Sequence, residues 1–188
     1  ELDKRDPDTL AALALLYQSE MESELAENSY RQSLSARAQD ARTLNNYGSF
    51  LFEQQRYQEA FAQFQKASTD NLYPERSRVY ENLGITALKL GQPDVARKYL
   101  VKALRLNPNQ PRALLEMAEL SYQDRQYVPA REYYDRFSLL SGQNARSLLL
   151  GARLATVFDD RATPATFGQQ LKRLYPGTPE YQQYLSEQ

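Results

Sequence analysis

Apolar and small residues recur along this chain at spacings that predict paired α-helices. The clearest stretch carries them on both sides of a Gly91-Gln92-Pro93 turn, at Tyr80, Leu83, Gly84, Ala87, Ala96, Leu100, Ala103 and Pro108. Intervals of three and four place side chains on one face of a helix. Gly91 and Pro93 favour a turn between the helices, and Pro108 favours the end of the second one. The stretch therefore predicts a helix–turn–helix unit.

The same anchors return upstream and downstream of this unit. Related sets begin at Leu13, Tyr47 and Met117, and a weaker one begins at Leu150. A helix–turn–helix unit that repeats about every 34 residues is the signature of the tetratricopeptide repeat (TPR). We expect an all-α, right-handed TPR solenoid forming a single domain over residues 1–188, with a short capping helix at about 178–186. Its five repeats are predicted at about 8–40, 41–74, 75–108, 109–142 and 145–176.

Three segments depart from the regular repeat. The connection 68–74 is two residues longer than the others, and its polar turn formers predict a loop. Residues 1–7 resemble the end of a repeat whose first part precedes this chain. At the other end, Tyr181, Tyr184 and Leu185 are expected to cover the apolar face that a terminal repeat leaves open.

The composition argues against several classes of function. The chain has no histidine and no cysteine, so the usual general base, metal ligands and thiol chemistry are missing. A net charge of −1 predicts no general attraction to nucleic acid or anionic lipid. No apolar run approaches the ~20 residues that span a bilayer. We expect a non-enzymatic protein without cofactor, metal site or small-molecule substrate.

Few residues suggest catalysis on closer inspection. The carboxylate pairs Asp159-Asp160 and Glu22/Glu24 are most simply interpreted as solvated charges of loops and helix ends. Ser147 has no histidine partner anywhere in the chain, and no glycine-rich phosphate loop is present.

Four arginines fall at the same position of consecutive repeats, near the start of the first helix: Arg42, Arg78, Arg112 and Arg146. One interpretation is a ladder that binds the carboxylates of an acidic peptide in the groove. The other is that each arginine pairs with the loop or helix end of a neighbouring repeat. The spacing alone does not decide between them.

The first helices are expected to line a concave, partly apolar groove, which is typical of a partner site. The candidate groove residues are Arg42, Asn45, Ser49, Phe52, Arg78, Glu81, Ile85, Leu88, Arg112, Leu115, Glu119, Tyr122, Arg146 and Leu148. A second candidate surface is the lengthened loop, with Tyr73, Glu75 and Arg76. Several of the 14 tyrosines occupy repeat anchors, whereas Tyr73, Tyr122 and Tyr133 do not and are better candidates for partner contact.

Four longer segments go beyond the general TPR anchors, at 72–84, 127–134, 143–151 and 170–177. With them the whole chain resembles the PilF/PilW family of type IV pilus biogenesis proteins, and most closely its pseudomonad members. The resemblance implies a lipoprotein that acts as a pilotin at the periplasmic face of the outer membrane. Such a protein binds secretin subunits and promotes their localisation and assembly into a multimeric channel. The lipidated cysteine and signal peptide of the family are not in this chain, so membrane contact is expected only through that anchor.

Two other functions stay open at this point. One is a TPR adaptor for a different envelope protein or a chaperone tail, although the groove looks too apolar for a carboxylate clamp. The other is an enzyme or enzyme subunit, which the missing histidine and cysteine disfavour.

Overall fold

The structure, a computed structural model, describes residues 6–160 and 163–187. In those residues the chain is helical and contains no β-strand. The helices are α1 Pro7–Ser19, α2 Ser23–Ala36, α3 Ala41–Glu53, α4 Tyr57–Ala67, α5 Arg76–Lys89, α6 Pro93–Leu106, α7 Pro111–Gln123, α8 Tyr127–Leu140, α9 Ala145–Val157, α10 Thr163–Leu174 and α11 Pro179–Ser186.

Consecutive helices pair into antiparallel hairpins. These are α1/α2, α3/α4, α5/α6, α7/α8 and α9/α10, and α11 packs on α9 and α10. The predicted all-α TPR fold, with five helix–turn–helix repeats and a short final helix, is therefore confirmed. The helices group into two compact units, α1 to α6 and α7 to α11, which we describe separately. The single-domain organisation over the whole chain stays a prediction.

A capping residue at one position of the repeat begins three of the first helices, α1, α3 and α9, and also the final helix α11. Asp6, Asp40, Asn144 and Thr178 each accept a hydrogen bond from the backbone N–H three residues later. The capping bond satisfies a donor that the first helical turn leaves free. Arg76 and Gln110 stand at the same position in repeats three and four, where α5 and α7 lack a side-chain cap. These two helices therefore begin without the side-chain capping bond that α1, α3 and α9 have.

The turn inside each repeat adopts a left-handed backbone conformation at one residue. That residue has φ between 54° and 70° and is Met21, Gln55, Gly91, Arg125 or Asp159. Only Gly91 occupies this region without a steric cost, because it has no Cβ. The predicted turn at residues 91–93 is confirmed, with Pro93 as the first residue of α6.

Close helix crossings explain the glycine and alanine anchors. A Cβ built on Gly84 would lie 2.6 Å from Leu100 Cγ and 3.3 Å from the Ala96 carbonyl oxygen. A Cβ on Gly48 would lie 2.6 Å from Phe64 Cε1. A small residue is therefore required at Gly84 and at Gly48, where the two helices of a repeat approach closely.

Aromatic side chains fill much of the first unit's core. The Tyr30 ring stacks on Tyr47 at 5.3 Å between centroids and lies 5.8 Å from Phe50. Burial of Tyr30 raises the pKa of its hydroxyl, which donates a hydrogen bond to Gln18 Oε1 at 2.8 Å. These rings join α2 to α3 and so fix the first two repeats against each other.

Both chain ends correct the sequence analysis. Asp6 and Pro7 do not end a preceding helix, because Asp6 caps α1 and Pro7 is its first residue. The remainder of that predicted segment, residues 1–5, lies outside the described residues. At α11, Tyr181 and Tyr184 pack into a cluster with Leu148, Leu149 and Leu171. Leu185 instead points to solvent and is 49% exposed, so it does not cover the last repeat.

Candidate protein-binding surfaces

One concave surface of the first unit lies between α1, α3 and the lengthened loop. It encloses about 530 Å³, and we call it the loop hollow. Its lining residues are Asp8, Ala11, Ala12, Leu15, Gln39, Asp40, Ala41, Arg42, Thr43, Asn46, Asp70, Tyr73 and Pro74. Two residues predicted from separate features of the sequence, Arg42 in the groove and Tyr73 in the loop, therefore line the same hollow.

Small side chains on α1 make room for the loop hollow. Ala11 and Ala12 form part of its wall on the α1 side, and Leu15 adds apolar surface that is 46% exposed. On the facing helix, Arg42 is exposed near the start of α3. Within residues 6–160 and 163–187, Arg42 forms no ion pair. The hollow therefore combines apolar surface with a cation that is available to a partner.

The three aspartates of the hollow are already engaged. Asp8 Oδ1 accepts from Arg37 Nη1 at 2.8 Å. Asp40 Oδ1 accepts from the Thr43 backbone N–H at 2.7 Å, and Asp70 Oδ1 accepts from that of Leu72 at 2.9 Å. Their negative charges are partly offset by these donors, which leaves the Arg42 guanidinium as the charged group without a partner here.

Tyr73 lies half-buried at the edge of the hollow and packs against the core of the first unit. Burial raises the pKa of its hydroxyl; nearby Glu75 raises it further, whereas Arg42 and Arg78 lower it. Two of the predicted ladder arginines therefore lie near the Tyr73 hydroxyl, together with the predicted loop residue Glu75.

Arg76 holds the loop in place. Its Nη1 donates to the backbone oxygen of Asn71 at 3.1 Å and to Asn71 Oδ1 at 2.8 Å. Its guanidinium also lies 5.8 Å from the centroid of the Tyr80 ring. These contacts make Arg76 a structural residue of the loop, so its predicted role in partner contact has no support here.

The second concave surface lies in the second unit between α7, α9 and α11. It encloses about 240 Å³, and we call it the α9 groove. Its lining residues are Glu119, Tyr122, Gln123, Arg146, Leu149, Leu150, Arg153, Glu180 and Gln183. The predicted groove residues Glu119, Tyr122 and Arg146 are brought together in it.

Charged groups of the α9 groove are largely paired with one another. Arg146 Nη1 donates to Glu116 Oε1 at 3.0 Å, and its Nε donates to Glu119 Oε1 at 3.1 Å. Arg153 Nε donates to Glu187 Oε2 at 3.0 Å, which joins α9 to α11. Arg146 thus pairs with the previous repeat, although its carboxylate partners lie inside α7 and not at a loop or helix end.

Burial governs the electrostatics of this groove. Desolvation raises the pKa of the Glu119 carboxyl, and the hydrogen bond from Arg146 opposes that shift. Tyr122 lines the groove and lies 5.3 Å from Tyr127 between ring centroids. The groups that this groove offers to a partner are Tyr122, Gln123, Gln183 and Glu180, whose carboxylate forms no ion pair within the described residues.

Several other predicted groove residues serve the packing of their own unit. Asn45 Oδ1 accepts from Asn82 Nδ2 at 3.1 Å, and the Ser49 hydroxyl donates to the Asn45 carbonyl oxygen at 3.1 Å. Phe52 packs edge-on against Tyr57 at 5.1 Å. These contacts leave only part of each side chain accessible.

Burial separates the remaining candidates. Leu148 has no exposed surface and packs in the cluster with Leu171 and Tyr184, so it is a core residue rather than a partner contact. Glu81, Ile85 and Leu115 are also buried. Those that keep accessible surface are Leu88, Arg78, Arg112 and Tyr133. Arg78 lies 3.6 Å from Glu75, and the Arg136 guanidinium lies 5.9 Å from the Tyr133 ring centroid.

The sequence analysis missed the contribution of α1 to the loop hollow. Ala11, Ala12 and Leu15 were not among the candidates, because α1 has no ladder arginine to mark a groove position. It also missed Glu116 as the partner of Arg146. The sequence carried a signal for the Arg146 pairing, since Glu119 and Glu116 stand 27 and 30 positions before Arg146 on the previous first helix.

Two models of the tetratricopeptide repeat match the chain, over residues 39–109 and 81–139. The crystal structure of YrrB, described as a TPR protein with an unusual peptide-binding site, is similar in fold alone. It has a TM-score of 0.76 and 20% identity, covering 98% of this chain and 94% of that one. The repeated hairpins and the concave surfaces lined by first helices define the chain as a TPR protein.

More specific similarity extends over the whole chain. The type IV pilus assembly protein PilF of Pseudomonas aeruginosa is 57% identical over 187 residues, which is 100% of this chain and 74% of PilF. A solved structure of P. aeruginosa PilF matches with a TM-score of 0.96 and 56% identity, covering 99% of this chain and 84% of that one. PilW, described as a widely conserved type IV pilus biogenesis factor, matches with a TM-score of 0.79 and 31% identity over 97% and 84%. The chain belongs to the PilF family.

None of the described helices combines the length and the apolar character that crossing a bilayer requires. Over the same residues, no cluster of three or more carboxylates has the arrangement of a metal site.

Proposed function

We propose that this chain is a non-enzymatic scaffold of type IV pilus biogenesis that acts as a pilotin. In this role it binds secretin subunits and promotes their localisation and multimerisation at the outer membrane. The observation that carries the proposal is the 57% identity to PilF over the full chain, in a TPR fold. TPR proteins present surfaces to peptides and other proteins, which is consistent with a binding role.

In the proposed mechanism, one part of the protein holds it at the membrane and another part recognises the partner. A lipid anchor of the kind that the family resemblance implies would hold the protein at the periplasmic face of the outer membrane. The repeats would supply recognition. Because the helices already form the concave surface, this side of the complex loses little conformational entropy when it binds.

The loop hollow is the better candidate for the secretin-binding surface. It is more than twice as large as the α9 groove, at about 530 against 240 Å³. Arg42 is unpaired in the loop hollow, whereas Arg146 in the α9 groove is held by two glutamates. Apolar surface from Leu15 and Tyr73 beside a free guanidinium suits a segment that carries an apolar side chain next to a carboxylate.

The experiment is a binding measurement between the immobilised 188-residue chain and detergent-solubilised secretin of the type IV pilus. We expect saturable binding by the wild type. Arg42→Glu should weaken it about tenfold or more, because a like charge would then face the carboxylate. Arg173→Glu is the matched control, since Arg173 is exposed on α10, lines neither surface and carries the same charge change.

The possible outcomes distinguish the proposed pilotin role from the proposed binding surface, the loop hollow. Wild-type binding that Arg42→Glu leaves unchanged would retain the pilotin role and reject the loop hollow. A folded chain that does not bind secretin would contradict the proposed role, and would favour an adaptor for another envelope protein or a chaperone tail.

A further inference from the structure

Helix α6 carries a strong positive charge, although the net charge of the whole chain is slightly negative. It carries Arg97, Lys98, Lys102 and Arg105 against one acidic residue, Asp94, which gives a net charge of +3. The whole chain has a net charge of −1. From this net charge we expected no general attraction to anionic lipid. The net charge of a chain, however, does not describe the charge of a single helical face.

The exposed side of α6 is one continuous helical face. Lys98, Val101, Lys102, Arg105 and Leu106 follow intervals of three, one, three and one, and all five are exposed. The opposite side, with Ala96, Leu100 and Ala103, is fully buried. Intervals of this kind bring the exposed residues together as a stripe, so three cations flank two apolar side chains.

The cations of this stripe lack the neutralising partners found on other second helices. Lys98, Lys102 and Arg105 form no ion pair within the part of the chain that the structure describes. By contrast, Arg31 on α2 pairs with Glu27 at 2.6 Å, and Glu59 on α4 pairs with Arg56 at 2.6 Å. Within the described residues, no ion pair therefore neutralises the three cations of this stripe.

Aromatic rings support the stripe from one side. The Lys102 ammonium lies 5.5 Å from the ring centroids of both Tyr80 and Tyr99, which stack at 6.1 Å. A cation over aromatic rings beside exposed Val101 and Leu106 resembles the polar–apolar boundary of an interfacial helix. An interfacial helix uses this combination of cations, aromatic rings and shallow apolar contact along one exposed face.

We infer that the exposed face of α6 binds the surface of an anionic phospholipid bilayer. Basic residues near such a surface are attracted by its negative potential, and Val101 and Leu106 add shallow apolar contact. The inference rests on the charges and exposure of α6, and the proposed function contributes only the expectation that a membrane lies nearby. The face then orients the repeats at the membrane that an anchor would provide.

The test is flotation of the 188-residue chain with vesicles. We expect it to float with vesicles of 30% phosphatidylglycerol and 70% phosphatidylcholine at low salt, and not with pure phosphatidylcholine. Raising the salt to about 0.5 M should release it, because screening shortens the reach of the charges. The triple variant K98Q/K102Q/R105Q should lower the partition coefficient on the order of 100-fold. The matched control R112Q/K172Q/R173Q removes the same charge from other exposed positions and should change it less than about threefold.

Three outcomes would overturn the inference. The first is a wild-type chain that does not float at low salt, and the second is an equal loss in both triple variants, which would make net charge the cause. The third is binding of soluble polyglutamate without flotation, which would assign the face to an acidic protein segment. Flotation requires no secretin and secretin binding requires no vesicles, so this inference and the proposed function fail separately.

Discussion

Arg42 and Arg146 occupy the same position of repeats two and five, yet one is unpaired and the other is tied into its own unit. Arg146 contacts Glu116 and Glu119, which precede it by 30 and 27 residues. The residues that precede Arg42 by 30 and 27 are Ala12 and Leu15, and both line the loop hollow. A repeat position thus fixes where a side chain lies, whereas the previous repeat decides what it contacts.

This difference assigns separate roles to the two regions. In the second unit, carboxylates at both neighbouring positions convert the ladder arginine into a structural group. In the first unit, small and apolar residues at those positions leave a hollow and a free cation. The predictions below test the shared fold first and then the difference between the regions.

Replacing a crossing glycine should have the largest effect, and in both regions alike. A Cβ at Gly84 would lie 2.6 Å from Leu100 Cγ, and one at Gly151 would lie 2.8 Å from Phe167 Cζ. Gly84→Leu and Gly151→Leu should each lower the free energy of unfolding by about 3 kcal/mol, because overpacking forces helices apart. Urea denaturation measures it. Gly142, with no atom within 4 Å of a built Cβ, is the control site. An unchanged transition in Gly84→Leu would refute the repeat register.

Replacing Arg146 and replacing Arg42 should change the free energy of unfolding by different amounts. Arg146→Ala leaves Glu116 and Glu119 without their shared cation, and we expect a loss of about 1 kcal/mol. The value is modest because the arginine side chain is 45% exposed, so solvent screens the pairing. Arg42→Ala should stay within about 0.5 kcal/mol of wild type. Equal losses in urea denaturation would show that Arg42 has a structural partner after all.

The pH dependence of stability should have opposite signs at two glutamates. Glu27 has a pKa lowered from 4.5, first by its hydrogen bond from Arg56. Its contribution is present above pH 4.5 and is lost as the pH falls through the lowered pKa. Burial raises the pKa of Glu119 above 4.5, so its contribution is present below pH 4.5 and lost as the pH rises through the raised pKa.

Denaturation of Glu27→Gln and Glu119→Gln between pH 3 and 7 measures this contrast. Glu27→Gln should cost about 1 kcal/mol at pH 7, and less in acid. Glu119→Gln should be better tolerated at pH 7 than in acid. Parallel pH profiles for the two variants would contradict the assigned electrostatics.

Small effects of opposite sign are expected from substitutions at the turn inside each repeat. Gln55 has φ 60°, in the region that Gly91 occupies at φ 70°. Gln55→Gly should raise the free energy of unfolding by about 0.5 kcal/mol, since relief of backbone strain exceeds the added entropy of the unfolded chain. Gly91→Ala should lower it by about 1 kcal/mol. Thermal unfolding of both variants checks the pair, and a destabilised Gln55→Gly would show that the side chain contributes more than the strain costs.

The sequence predicted the repeats, the turn at Gly91 and the final helix because each depends on local spacing and small residues. It placed Leu148 in the groove wrongly, because spacing gives a helical face only to within part of a turn, and α11 covers that side. It left the arginine ladder undecided because pairing depends on residues a whole repeat away. The charge of α6 was hidden by the net charge of the chain, which averages over all faces.

The most direct test of the central claim is hydrogen exchange of the chain with and without purified secretin. We predict slower exchange at residues 8–15, 40–46 and 70–76, which surround the loop hollow, and little change in α9. Protection confined to α7, α9 and α11, with none around the loop hollow, would contradict the account and move recognition to the α9 groove.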